Sequence, residues 1–154
     1  MHPTFIICML IPLAIGGLSA WLTMGSMALY GSLTLPPLAP PSWVFPAVWT
    51  VLFLLMGAAS WLVWQADAPL EERKQAMGLY GAQLAVNFVW PLLFFRAERY
   101  LLAFFWLILL LWLVAVTART FAKICSRAAW MLTPYLAWLL FAGYLNLFVW
   151  LLNR

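Results

Sequence analysis

The chain has no charged side chain inside any of its long apolar runs. Its eight Lys and Arg residues and its four Asp and Glu residues all lie outside five blocks, residues 5–24, 43–64, 77–95, 100–118 and 128–152. A carboxylate or a lysine within a membrane segment usually marks a proton or ion pathway. The absence of such residues therefore argues against an ion-coupled transporter or pump.

Histidine and cysteine are scarce as well. The chain contains one histidine, His2, and two cysteines, Cys8 and Cys125, which form no CxxC pair. Metal centres and catalytic triads draw on several such side chains. We therefore expect no metal site and no bound cofactor, and we interpret the two cysteines as small apolar residues.

The net charge of +4 is spread over the connections between the blocks and forms no basic patch. Since nucleic-acid binding depends on such a patch, no nucleic-acid partner is expected. With five spans, five basic residues lie on the side of the N-terminus and three on the other side. This excess predicts a cytoplasmic N-terminus.

Apolar residues dominate the composition, with 68% hydrophobic and 8% charged residues. Each block has about 20 residues, the length that crosses a bilayer as a helix, so the lipid bilayer is the expected partner. The first block lacks the basic residues that precede the apolar core of a signal peptide, and we interpret it as a retained helix. The sequence therefore predicts an all-α integral membrane protein, a single domain over residues 1–154 formed by a bundle of five transmembrane helices.

The longest connection, residues 25–42, carries no charge and contains four prolines, Pro36, Pro37, Pro40 and Pro41. Proline fixes φ and lacks a backbone donor, so this pattern predicts a stiff, extended segment rather than a helix. Its leucines would be poorly solvated in water. Two interpretations stay open: a lid that folds over one end of the bundle, or a simple interfacial loop.

Polar and aromatic side chains recur at helical spacing on three of the predicted spans. These stripes are Phe45, Trp49, Phe53, Met56 and Ser60 on the second span, Tyr80, Gln83, Asn87, Trp90 and Phe94 on the third, and Tyr135, Trp138, Ala142, Asn146 and Val149 on the fifth. Buried amides either join helices by hydrogen bonds or anchor a ligand in a cavity, and both interpretations stay open. An aromatic cavity would suit a large, flat, hydrophobic molecule. Because the interior has no histidine, ring stacking of a porphyrin is easier to support than ligation of haem iron.

Small residues are spaced four apart on the third span, in the pairs Gly78 with Ala82 and Gly81 with Ala85. Such pairs allow close approach of helix backbones in membranes. We therefore predict a homodimer through this face.

Three motifs in order resemble the translocator protein family, also called tryptophan-rich sensory proteins or peripheral benzodiazepine receptors. They are PPLAPPSWVFPAVW at residues 36–49 with LLMG at 54–57, QLAVNFVWPLLFF at residues 83–95, and PYLAWLLFAGYLN at residues 134–146. The resemblance covers nearly the whole chain. It implies a five-helix bundle, commonly a homodimer, with a cavity under the first loop.

The family binds porphyrins and related tetrapyrroles, and its animal members bind cholesterol and benzodiazepine-type drugs. Carried over by the resemblance, Trp49, Asn87, Trp138 and Ala142 are expected to line the ligand pocket, and Tyr30 is expected to close over it. Trp49 and Trp138 are also the hypothetical catalytic residues of a light-dependent, porphyrin-degrading enzyme. In that hypothesis Trp138 is the more critical redox participant, Trp49 stacks on the macrocycle, and Asn87 offers a hydrogen bond to its polar edge.

The chain departs from the family pattern in the loop and near the C-terminus. Leu35 stands where the family usually has a lysine, and Leu38 where an aromatic residue is common. The pattern of a branched apolar residue, a tyrosine and a basic residue, proposed for sterol recognition, is not intact after Asn146. Cholesterol is therefore expected to be a poorer partner than a tetrapyrrole. The compact chain, which has no N-terminal extension, predicts a bacterial inner-membrane protein.

These observations support three hypotheses for function. The first is a membrane receptor or carrier for porphyrin-like molecules, which acts in tetrapyrrole sensing or transport. The second is the light-dependent enzyme. The third is a structural or partner-binding membrane protein whose cavity is incidental.

Overall fold

A computed structural model describes residues 2–154 of the protein, which is 84% helical, and those residues form no β-strand. A 3₁₀ turn follows the first helix, and a π-helical turn follows the fourth. The helices within the described range are α1 (Pro3–Leu22), α2 (Met27–Ser32), α3 (Val44–Trp64), α4 (Leu70–Pro91), α5 (Tyr100–Ile124), α6 (Ser126–Met131) and α7 (Thr133–Leu152).

Five helical segments are long and apolar enough to cross a membrane, and they confirm the predicted bundle. They are Pro3–Leu22, Val44–Trp64, Leu70–Arg96, Tyr100–Ile124 and Ser126–Leu152. Four of them extend beyond the apolar blocks, and the third and fourth do so by the most residues. The third begins at Leu70, where Glu71 and Glu72 occupy the first turn and complement the helix dipole. The fourth continues to Ile124, past the last residue of its apolar block.

The fifth span is broken between α6 and α7 at Leu132. Pro134 lies in the first turn of α7. Proline has no backbone N–H, and its ring collides with the carbonyl of the residue four positions earlier in a continuous helix. Proline therefore disfavours one continuous helix at this point, whereas the start of a new helix tolerates it.

The connection between α1 and α3 is only partly extended. Residues 24–26 form the 3₁₀ turn and residues 27–32 form α2, so the prediction that the whole segment is non-helical is wrong for its first half. The reason is the position of the prolines, which begin at Pro36 and restrict the backbone only from the preceding residue onward. Beyond α2 the chain is extended, with a turn at residues 36–39.

The spans are arranged in a ring. Helix α1 packs against α3 and α4, α3 packs against α6, and α5 packs against α4, α6 and α7. The short connection at residues 97–99 makes α4 and α5 antiparallel neighbours. Before it, Pro91 is followed by the π-helical turn Leu92–Arg96, which buries Phe94 and Phe95 against the core.

Candidate functional site

A cavity of about 410 Å³ lies between α1, α3 and α4, at the end of the bundle that carries residues 25–42; we call it the large cavity. Its aromatic lining consists of Trp21, Phe45, Trp49, Phe53, Trp90 and Phe95. Its polar lining consists of Ser19, Thr23 and Asn87. No charged side chain lines it. Its volume and composition are those of a site for a small apolar molecule with a few polar contacts.

A second cavity, of about 20 Å³, lies beside the first; we call it the small cavity. Its lining includes Tyr30, Leu35 and Ala142. The volume holds about one water molecule. The side chains of Phe45, Trp90 and Phe95 line both cavities. One layer of aromatic rings therefore separates the two spaces.

Trp90 is the fixed part of this aromatic wall. Its indole nitrogen donates a hydrogen bond to Asn146 Oδ1 over 3.0 Å, and Asn146 Nδ2 donates to the Tyr100 carbonyl oxygen over 2.7 Å. The Trp90 ring also stacks on Phe94, with 5.2 Å between centroids. The wall is thereby tied to α5 and α7.

Phe45 is held in a different way, by ring contacts alone. Its centroid lies 5.0 Å from that of Tyr30 and 5.9 Å from that of Trp138, both in edge-to-face geometry. Such contacts are weaker than a buried hydrogen bond added to packing. Phe45 is therefore held less firmly than Trp90.

A hydrogen-bonded chain runs from the large cavity into the core. Asn87 Nδ2 donates to the Tyr135 hydroxyl over 2.6 Å, and this hydroxyl donates to Gln83 Oε1 over 2.8 Å. The chain joins α4 to α7, so the buried amides do hold helices together. Nδ2 of Asn87 uses one of its two hydrogens in this bond, so its second hydrogen, as a donor, and its carboxamide oxygen, as an acceptor, are both left for a ligand.

Tyr30 lies beside the small cavity and braces the loop. It is 6% exposed, and its hydroxyl donates to the Pro40 carbonyl oxygen over 2.7 Å. Burial raises the pKa of this hydroxyl above its usual value, so it keeps its proton and remains a donor at physiological pH.

Tyr144 of α7 and Asn153, the C-cap residue that follows this helix, hold the loop from the other side. The Tyr144 hydroxyl donates to the Pro37 carbonyl oxygen over 2.7 Å. The Asn153 carboxamide accepts a hydrogen bond from the Thr34 backbone N–H and donates one to the Thr34 carbonyl oxygen, each over 2.9 Å. The sequence showed neither contact, because both partners of these side chains are backbone groups more than a hundred residues away.

Trp138 lines neither of the two cavities. Its ring lies behind Phe45 and packs on Phe141, with 5.6 Å between centroids. Its indole nitrogen is buried, with no hydrogen-bond partner among the described residues. Of the five sequence-predicted binding residues, the structure thus places Trp49 and Asn87 at the large cavity and Tyr30 and Ala142 at the small one.

The contribution of α1 to the large cavity was missed by sequence reasoning. A small and hydroxyl-bearing stripe, Gly16, Ser19, Ala20 and Thr23, faces the space at helical spacing. This helical spacing of small residues is the sequence pattern from which the contribution of α1 could have been predicted. Phe45 and Trp90 were recognised as members of stripes but not as binding residues.

Comparison with known proteins identifies the family of this chain. The sequence profile of the TspO/MBR family matches residues 8–151. The chain belongs to this family. The translocator protein of Bos taurus is 38% identical over 147 residues, which cover 94% of this chain and 87% of the relative. The translocator protein of Ovis aries is 40% identical over 126 residues, covering 81% and 75%, respectively. The tryptophan-rich protein TspO of Chlorobaculum tepidum is 36% identical over 124 residues, covering 80% and 78%.

Membership confirms the resemblance drawn from the three motifs. The protein is a multi-span membrane protein of the TspO/MBR family. The matched range begins in α1 and ends in α7, so it includes every helix that lines either cavity.

Proposed function

We propose that the protein is a membrane receptor or carrier that binds porphyrin-like tetrapyrroles, or other flat hydrophobic molecules, and acts in tetrapyrrole sensing or transport. The observation that carries this proposal is the large cavity, which has six aromatic rings and no charged side chain in its lining. A flat conjugated molecule gains favourable contact energy by stacking on such rings. Because it is apolar, it pays little desolvation energy when it enters such a cavity.

In this proposal Trp49 stacks on the ligand and Asn87 offers a hydrogen bond to its polar edge. Binding of a macrocycle displaces Phe45 and joins the two cavities, so that Tyr30 and Ala142 also contact the ligand. Residues 33–41, held by Asn153 and Tyr144, form a lid over the small cavity. Benzodiazepine-type drugs are further ligands of the same aromatic space, and cholesterol is a poorer one.

The test is a binding titration of the protein in lipid nanodiscs with protoporphyrin IX, followed by quenching of tryptophan fluorescence. We expect Trp49→Leu to weaken binding about tenfold, the effect of losing about 1.4 kcal/mol of ring contact. The control is Trp112→Leu, because Trp112 is exposed on α5 and lines neither cavity. Absence of saturable binding by the unmodified protein would refute the proposal, and equal affinity of the two variants would refute the site.

A second proposal is light-dependent degradation of the bound porphyrin, with Trp49 and Trp138 as the oxidisable residues. The observation that favours it is the position of Trp49 in the cavity lining, with Trp138 one aromatic ring away behind Phe45. An excited porphyrin in the presence of oxygen would have an electron-rich indole close by. The two proposals need the same binding site and differ only in whether the ligand survives illumination.

The remaining proposals concern assembly and location. A homodimer through α4 is supported by Gly78 and Gly81, which have no neighbouring atoms within 4 Å of an added Cβ and therefore leave room for another helix. The bacterial inner membrane is the proposed location.

A further inference from the structure

We propose that ligands reach the large cavity sideways from the bilayer, through an opening between α1 and α3 beside Trp21 and Pro46, and not through the loop. The inference rests on the proposed function only for the identity of the ligand. The opening itself is argued from the exposure of the cavity lining and from the contacts that close its other sides.

The lining of the large cavity has a buried floor and an exposed rim. The floor includes Asn87 at 4% exposure and Trp90 at 7%. On the rim, Trp21 is 65% exposed and Met24 is 66% exposed, and Ala20 and Pro46 are exposed as well. The exposed residues come from the end of α1, the 3₁₀ turn that follows it and the start of α3, so the cavity is open at this seam.

The seam between α1 and α4 is closed at the same level. The Ser19 hydroxyl donates a hydrogen bond to the Phe88 carbonyl oxygen over 3.2 Å, which brings the two helices together beside the cavity. Ser19 is 4% exposed. A ligand therefore cannot pass between α1 and α4 without breaking this contact.

Deeper in the membrane the seam between α1 and α3 is closed as well. A Cβ at Gly57 would lie 2.8 Å from the Cys8 carbonyl oxygen, and a Cβ at Gly16 would overlap the Phe53 ring. The two helices therefore touch up to Gly16 and separate only beyond it. Gly16 lies six residues before the end of α1, so at 1.5 Å per residue the opening covers about the outer 9 Å of the helix.

The loop formed by residues 25–42 is not the entrance to the large cavity. Among the side chains of the segment 25–42 that the structure describes, none lines that cavity, whereas Tyr30 and Leu35 line the small one. Asn153 and Tyr144 fasten the loop to α7, on the far side of the aromatic wall. A route through the loop would have to break these hydrogen bonds and then pass the wall.

The depth of the opening indicates the class of molecule that uses it. The outermost turns of a transmembrane helix lie at the boundary of headgroups and acyl chains, where tryptophan is enriched. A flat amphiphile rests at this boundary with its apolar face in the lipid. Such a molecule can slide between α1 and α3 onto Trp49 without entering water.

The first experiment needs no ligand. The protein is placed in vesicles of a phosphatidylcholine with a diazirine near the start of one acyl chain, illuminated, and mapped by mass spectrometry. We expect adducts at Trp49 and Asn87 on the cavity lining. Leu107 and Leu139, each 1% exposed in the core, are the unlabelled control. Adducts confined to exposed residues such as Leu102 and Phe105 would overturn the proposal.

The second experiment measures how fast protoporphyrin IX associates from vesicles, by stopped-flow quenching of tryptophan fluorescence. Ala20→Trp narrows the opening, and we expect it to slow association by about tenfold. Ala14→Trp is the matched control, since Ala14 is exposed on the same helix and lines neither cavity. Asn153→Ala releases the loop and should leave the rate unchanged.

The outcomes separate this inference from the proposed function. Equal rates for Ala20→Trp and Ala14→Trp, or faster association for Asn153→Ala, would overturn the lateral route even if the cavity is labelled. If the unmodified protein does not bind protoporphyrin IX, the proposed function fails, and photolabelling alone decides whether the cavity opens to the bilayer.

Discussion

Asn87 of α4 and Tyr135 of α7 are joined by a hydrogen bond of 2.6 Å at the inner edge of the large cavity. The same hydroxyl donates to Gln83, so Tyr135 satisfies two amides at once. One side chain therefore both links two helices and orients the carboxamide of Asn87. A loss of Tyr135 should affect stability and binding together.

The first prediction concerns this link. Tyr135→Phe keeps the ring but removes both hydrogen bonds, and we expect the free energy of unfolding to fall by about 1 kcal/mol, in the range measured for polar contacts in membrane bundles. Unfolding by denaturing detergent, followed by circular dichroism, would measure it. Tyr144→Phe is the control, because it removes one hydrogen bond at an exposed position. An equal or larger loss in the control would contradict the role of the buried chain.

The second prediction concerns the small cavity. Ala142→Leu adds a branched side chain to a space of about 20 Å³. If a macrocycle has to join the two cavities, this change should weaken protoporphyrin IX binding by at least about tenfold, which corresponds to about 1.4 kcal/mol. Ala137→Leu is the matched control on the exposed face of the same helix. Unchanged affinity in Ala142→Leu would confine the ligand to the large cavity.

The sequence predicted the bundle because charge and hydropathy alone determine which segments can cross a membrane. The family resemblance assigned Trp49 and Asn87 to one pocket, and both line the large cavity. The sequence could not predict the division of the site by Phe45, because that depends on how three helices meet. It also could not predict the Asn153 contact. Asn153 bonds the backbone of Thr34, and any residue at that position would offer the same backbone groups.

A third prediction concerns the loop backbone. Leu38 has φ 70° at the third position of the turn that closes with a hydrogen bond from Ala39 N–H to the Pro36 carbonyl oxygen. Glycine is the residue that adopts this conformation without steric cost, and a side chain there costs about 1 to 2 kcal/mol. Leu38→Gly should therefore slow hydrogen exchange in residues 34–41. Leu29→Gly, placed in α2, is the control and should not slow it. Faster exchange in Leu38→Gly would show that chain entropy outweighs the strain.

The fourth prediction concerns the dimer. Gly81→Leu combined with Ala85→Leu fills the exposed small face of α4, and we expect crosslinked dimers in membranes to decrease severalfold because the helices can no longer approach closely. The control is Leu109→Ala, which changes an exposed side chain of α5. If crosslinking is the same in the double variant and the unmodified protein, α4 is not the dimer interface.

The last prediction separates a receptor from an enzyme. Trp138 packs behind Phe45 and does not line either cavity, so Trp138→Phe should keep protoporphyrin IX affinity within about twofold, because a ring still supports the wall. If indole oxidation at Trp138 drives degradation, the same variant should lose most of the light-dependent decay of porphyrin absorbance in the presence of oxygen. Trp112→Phe makes the same change at an exposed position of α5, and with this variant the porphyrin absorbance should decay as fast as with the unmodified protein. Decay of Trp138→Phe at the unmodified rate would exclude this residue from the chemistry, and the receptor or carrier function would then account better for the aromatic cavity.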